Sequence, residues 1–89
     1  MACSEFPSPG QEAVTPVEAT ADNLFELGMA YCIGREVPQD YIRAHKWLNL
    51  AALKGSEAAK IYRHEVAREM SASQIAEAQR QARAWMTLH

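Results

Sequence analysis

The stretch GREVPQDYIRAHKWLNLAALKG, Gly34–Gly55, decides the fold. Its opening, Gly34 to Gln39, resists helix, and the run that follows can hardly form anything else. Gly34 suits the left-handed position that closes many helices. Pro38 pushes Val37 out of the helical region, and Asp40 offers its carboxylate as an N-cap to the amides of the next turn. The spacing predicts a helix over about Asp40 to Lys54. It places Tyr41, Ala44, Leu48, Ala51 and Ala52 on one face and Arg43, Lys46 and Asn49 largely on the other. Gly55 stops it. Leu50 and Leu53 lie off the main stripe and are expected to pack against the helix that follows; left uncovered, they would form an exposed patch favouring association.

Upstream, Leu24, Leu27, Gly28 and Tyr31 recur at the spacing of one helical face, with Thr20 or Asp22 available as the cap. Downstream, Ser56 can cap a third helix to about Glu69 that buries Ala59, Tyr62, Val66 and Met70. Ser71 to Gln74, SASQ, reads as a capping box opening a fourth helix to about Met86, with Ile75, Ala78, Ala82 and Trp85 on one face. The fold class is therefore all-α, about four helices, read as two antiparallel helix pairs in succession. The loop through Gly34, Val37, Pro38 and Asp40 sets the angle of the first pair. The small residues Gly28, Ala44, Ala51 and Ala52 let its helices approach closely, because side chains at the contact set helix separation. This is repeat-protein construction.

Residues 1–18 hold Pro7, Pro9, Gly10 and Pro16 and few large apolar side chains, so they are expected to form a flexible tail ahead of a helical domain over 19–89. One domain of 89 residues buries only roughly 60–65% of the surface its unfolded chain exposes, which leaves little core for an elaborate active site. The composition, 48% hydrophobic and 22% charged with a net charge of −2, is ordinary for a helical protein. A sequence pI near 5.9, with basic and acidic residues interspersed, argues against nucleic acid as a partner. The longest apolar run, Leu48 to Leu53 interrupted by Asn49, falls far short of the roughly 20 residues that cross a bilayer, so no membrane partner is expected. The N-terminus shows neither a basic region nor an apolar core of a secretory signal. Cys3 and Cys32 make a poor disulfide framework. A reducing, cytoplasmic setting is expected, with export left open if the start has been trimmed.

The aromatic residues Tyr31, Tyr41, Trp47, Tyr62 and Trp85 stand at helical spacing and read as core, with Trp85, near the end of the chain, the one that could instead be an exposed anchor. His45, His64 and Cys32 lie on different helices without the short paired spacing of a zinc site, and read as solvated histidines and a half-buried thiol. No nucleophile elbow, Ser-His-Asp order or phosphate-cradling glycine loop is present. Glu65, Arg68 and Glu69 are spaced as helix-surface charges. No catalytic residue, metal or cofactor is assigned.

The segment LGMAYCIGREVPQDYIRAHKWLNLAALKGSEAA resembles a Sel1-like repeat, a relative of the tetratricopeptide repeat. The resemblance runs through Leu27, Gly28, Tyr31, Gly34, Val37, Pro38, Asp40, Tyr41, Ala44, Trp47, Leu48, Ala51, Ala52 and Gly55, and covers about 23–59, less than half of the chain. Family members often carry a second glycine just before the Val-Pro pair, where this chain has Glu36. Residues 60–89 do not repeat the pattern, and the helices over about 56–87 read as a C-terminal cap. Arrays of this kind usually need about three or more repeats. Either the cap compensates, or the chain is the end of a longer array, or a second copy supplies the missing neighbour.

The resemblance implies an α/α scaffold, frequent in bacteria, that binds another protein or peptide and has no catalytic residues. In related repeats the first helix of each pair builds the binding face. Here its outward residues are expected to include Asn23, Glu26, Met29 and Ala30. The alternative is a self-associating module, a homodimer joined through the open edge of the first helix.

Overall fold

A computed structural model describes residues 19–88. The expected tail over 1–18, with Cys3, lies outside the described residues. Four helices follow in order: α1 (Ala21–Ile33), α2 (Tyr41–Leu53), α3 (Glu57–Ala67) and α4 (Ala72–Leu88), with no strand among the described residues. The fold is all-α.

Each boundary has a local cause. Thr20, not Asp22, caps α1: its hydroxyl accepts from the Asn23 amide at 3.1 Å. Gly34 takes the left-handed conformation (φ 78°) and ends the helix, where the Gly34 and Arg35 amides both donate to the Ala30 carbonyl. Asp40 accepts from the Arg43 amide at 3.1 Å, and Ser56 does the same for Ala59 at 3.1 Å. Gly55 (φ 107°) closes α2, with the Ser56 amide donating to the Ala51 carbonyl. The capping box forms reciprocally: the Gln74 amide donates to Ser71 Oγ at 3.2 Å, and the Ser71 amide to Gln74 Oε1 at 2.9 Å.

The α1–α2 hairpin forms as its loop requires. Across the turn the Asp40 amide donates to the Tyr31 carbonyl at 3.0 Å, and Gln39 Nε2 donates to the Cys32 carbonyl at 2.9 Å. Val37 packs against the core as an anchor. Further along, Gly28 meets Leu48, so the two helices run in opposite directions. Glu36 has φ 65°, the left-handed conformation that favours glycine.

The remaining packing departs from two successive pairs. α2 is the central helix, with α1, α3 and α4 all packed against it, while α3 and α4 make little contact with one another. α2 accordingly buries residues on nearly every side: Ala44, Leu48 and Ala51 on the expected face, and also His45, Lys46, Trp47 and Leu50. Two expectations are corrected by this. Lys46, assigned to the outer face, is 8% exposed, and His45, read as solvated, is 4% exposed. α4 covers the side that carries Trp47, on which Trp85 packs edge to face with ring centroids 5.8 Å apart. Trp85 is thus half-buried in the helix interface and is not an exposed anchor.

Leu50 is buried as expected, but Leu53 is 62% exposed. Leu53 is the last residue of α2, where the chain already turns away through Lys54 and Gly55. In α3, Ala59 and Val66 are buried and Met70 beyond it packs against the core, whereas Tyr62 remains 42% exposed with its ring 5.8 Å from Phe25 of α1. The third helix lies at the margin of the core, so its inner stripe is narrower than its sequence suggested.

Candidate interaction surfaces

The small and apolar residues of α1 and α2 converge on one contact. A Cβ on Gly28 would stand 2.8 Å from both Cγ and Cδ2 of Leu48. Tyr31, Ala44, Trp47, Leu48 and Ala51 are all essentially buried in the same cluster, and Leu27, Val37 and Tyr41 pack against it. Arg43 lies over the Tyr31 ring, 5.9 Å from its centroid, and joins its guanidinium to Asp40 at 3.3 Å. These residues build the scaffold and, among the described residues, leave the outer side of α1 without a helix on it.

On that outer side the structure brings together three of the four expected residues. Asn23 and Glu26 are exposed and Ala30 is partly so, and Ile33 continues the row at 59% exposure. Met29 does not belong to it. It is partly buried and packs against the core, as Phe25 and Cys32 do. Glu26 engages Arg35 at 3.3 Å, a surface pair of the kind worth little to stability. Ile33 was missed by the sequence reading, although its spacing from Glu26 and Ala30 places it on the same row.

Concavities among the described residues lie on either side of α2. The first, about 100 Å³, opens between the end of α1, the start of α2 and α3, and is lined by Cys32, Tyr41, Tyr62, Val66, Glu65 and Glu69. Burial pushes the Cys32 thiol above its ordinary range and so favours its protonated form. The second, about 350 Å³, is an open groove between α2 and α4 lined by Arg43, Lys46, Arg80, Gln81, Ala84, Trp85 and Leu88. All three of its charged residues are cations. Lys46 Nζ stands 4.2 Å from the centroid of the Trp47 ring. Arg80 grips Glu77 through two donors, and this pairing, with help from Gln81, holds the Glu77 carboxyl down to about 2. The signal for this groove was present in α2, whose apolar residues occupy nearly every side: a helix of that pattern is central, and the polar residues on it must be covered.

His45 lies on the α3 side of α2. Its Nδ1 is buried without a hydrogen bond, and burial, together with the nearby Arg63 guanidinium, pushes its pKa below the ordinary value. Arg63 itself donates to Asn49 Oδ1 at 2.6 Å and ties α3 to α2. Among the described residues no cluster of three or more His, Cys, Asp or Glu gathers to hold a metal, and no helix is long and apolar enough to cross a membrane. No family model, curated protein or solved structure matches the chain.

Proposed function

We propose that this chain is a protein–protein interaction module, a Sel1-like scaffold without catalytic activity that works in the cytoplasm and engages another protein or peptide through the outer face of α1. The observation that carries this reading is the row Asn23, Glu26, Ala30 and Ile33, which stands on the first helix of a tightly closed pair and, among the described residues, has no helix against it. Its mixture of polar, small and apolar side chains suits a helix or extended segment that seats one apolar residue between polar contacts. Support for the scaffold type comes from the Gly28–Leu48 contact and the left-handed turn residues Gly34 and Glu36, which occur where the repeat pattern needs them.

The test is capture from lysate by the wild-type chain and by a Glu26→Lys, Ala30→Arg double variant. Far-UV helicity should be the same in both, and the proteins retained by the wild type should be lost from the variant. Retention of the same proteins by both would remove the α1 face from consideration.

Ile33 favours a second reading, in which the same face meets its counterpart in another copy. An apolar side chain 59% exposed at the end of an open edge is the contact such a homodimer would use. Dilution would then lower the melting temperature, because association stabilises by mass action.

A further inference from the structure

We propose that His45 is a proton-sensitive latch for α3: on taking up a proton it releases α3 from α2 before the rest of the fold opens, and the concavity beside Cys32 is lost with it. His45 is 4% exposed on the central helix, and its Nδ1 is buried with no hydrogen-bond partner among the described residues. A protonated imidazole carries a donor on each ring nitrogen. One turn along α2, the acceptor Asn49 Oδ1 is already engaged by Arg63 of α3 at 2.6 Å. Arg63 is also the charged group that acts on His45, and among the described residues no carboxylate of α1, α3 or α4 offsets it. A charged His45 therefore stands in the α2–α3 interface beside a like charge and without an acceptor for Nδ1. Any arrangement that lets water reach the ring is favoured over that one.

Release of α3 disturbs little else. The helix packs chiefly on α2, makes little contact with α1 or α4, and buries only Ala59 and Val66. Its 11 residues are too few to hold a helix alone, so a released α3 unwinds and its amides meet water. Tyr62, Glu65 and Val66 form the α3 wall of the concavity that Cys32 and Tyr41 close from the other side, and that wall leaves with the helix. Above pH 6.5 His45 is neutral whether α3 is docked or released. Below it, the released form takes up the proton that the docked form resists, so the released population rises by up to about tenfold per pH unit.

Amide hydrogen exchange in the full chain, followed residue by residue between pH 7.5 and 5.5 and divided by the rate of an unstructured peptide at the same pH, tests this. The amides of Ile61 to Ala67 should be less protected than those of α1 and α2 at every pH, and below pH 6.5 their protection should fall by up to about tenfold per unit. His45→Gln should abolish that fall, and His64→Gln, on the exposed side of α3, should leave it in place. Protection in α3 equal to that in α1 and α2 at every pH would mean that α3 opens only with the whole molecule, and overturns the proposal. So does a slope that survives His45→Gln. The wild type alone gives a second reading: the His45 ring should titrate below 6.5, with the α3 amide signals following it. A His45 ring that titrates at the ordinary value, with α3 still protected, overturns the proposal without any variant.

Discussion

Gly28 and Leu48 approach so closely that a β-carbon on the glycine would stand 2.8 Å from the leucine side chain and 3.1 Å from its amide nitrogen. No real Cβ contact is that short, so the separation of α1 and α2 depends on the missing side chain. Gly28→Ala should therefore destabilise by about 1–3 kcal/mol through overpacking, even though alanine alone favours a helix by about 1 kcal/mol over glycine. Leu48→Ala should cost about 2–5 kcal/mol by leaving a cavity. The double variant should cost less than the two together, since the alanine methyl enters the space that leucine vacates. Urea unfolding of the four proteins checks this, and strict additivity would mean that the helices are not held at this contact.

Glu36 is a glutamate in a glycine's conformation, at φ 65°. The left-handed region costs an ordinary residue about 1–2 kcal/mol, and glycine returns about 0.5–1 kcal/mol of that through its freer unfolded chain. Glu36→Gly should stabilise by up to about 1 kcal/mol. A lower urea midpoint for the variant would show that the Glu36 side chain makes a contribution that outweighs its backbone.

His45 makes stability fall on mild acidification. Its pKa in the fold is depressed, chiefly by burial and then by Arg63, from an ordinary 6.5. Above 6.5 both folded and unfolded chains hold it neutral. As pH falls below 6.5 the unfolded chain takes up a proton that the folded chain refuses, so the unfolded state gains. The urea midpoint should drop between about pH 7 and 5, and His45→Leu should flatten that drop. Glu77 acts in a separate window: its stability is present above its ordinary 4.5 and is lost as pH falls towards about 2, so Glu77→Gln should change the slope only in that lower region. Equal slopes above pH 5 in wild type and His45→Leu would contradict the account of His45.

Trp85 anchors α4 on Trp47, so Trp85→Ala should cost about 2–4 kcal/mol, somewhat less than a fully buried tryptophan because part of it faces the groove. The remaining Trp47 fluorescence should shift to the red as water reaches its ring. An unchanged spectrum would mean that α4 does not cover this side of α2.

What the sequence revealed and what it hid divide along the range of the interactions. Gly34, Asp40, Ser56 and the Ser71–Gln74 box act on amides within a few residues of themselves, so their spacing alone predicts the helix boundaries they produce. Gly28 was legible as a close-approach residue because it sits on the same stripe as Leu24 and Tyr31. Lys46, His45 and Leu53 were misplaced because burial there depends on which other helix lies alongside, and no local pattern states that α4 lies on α2 and not beside α3. Of the expected binding row, Asn23, Glu26 and Ala30 share a face by helical geometry alone. Met29 fell on the boundary between two faces and packs against the core.

The most direct test of an α1 face open to a foreign protein is molar mass by light scattering across a wide concentration range. The account predicts the single-chain mass of 9.9 kDa at every concentration. A concentration-dependent rise towards twice that mass, abolished by Ala30→Arg, would contradict it, because the face would already be taken by a second copy.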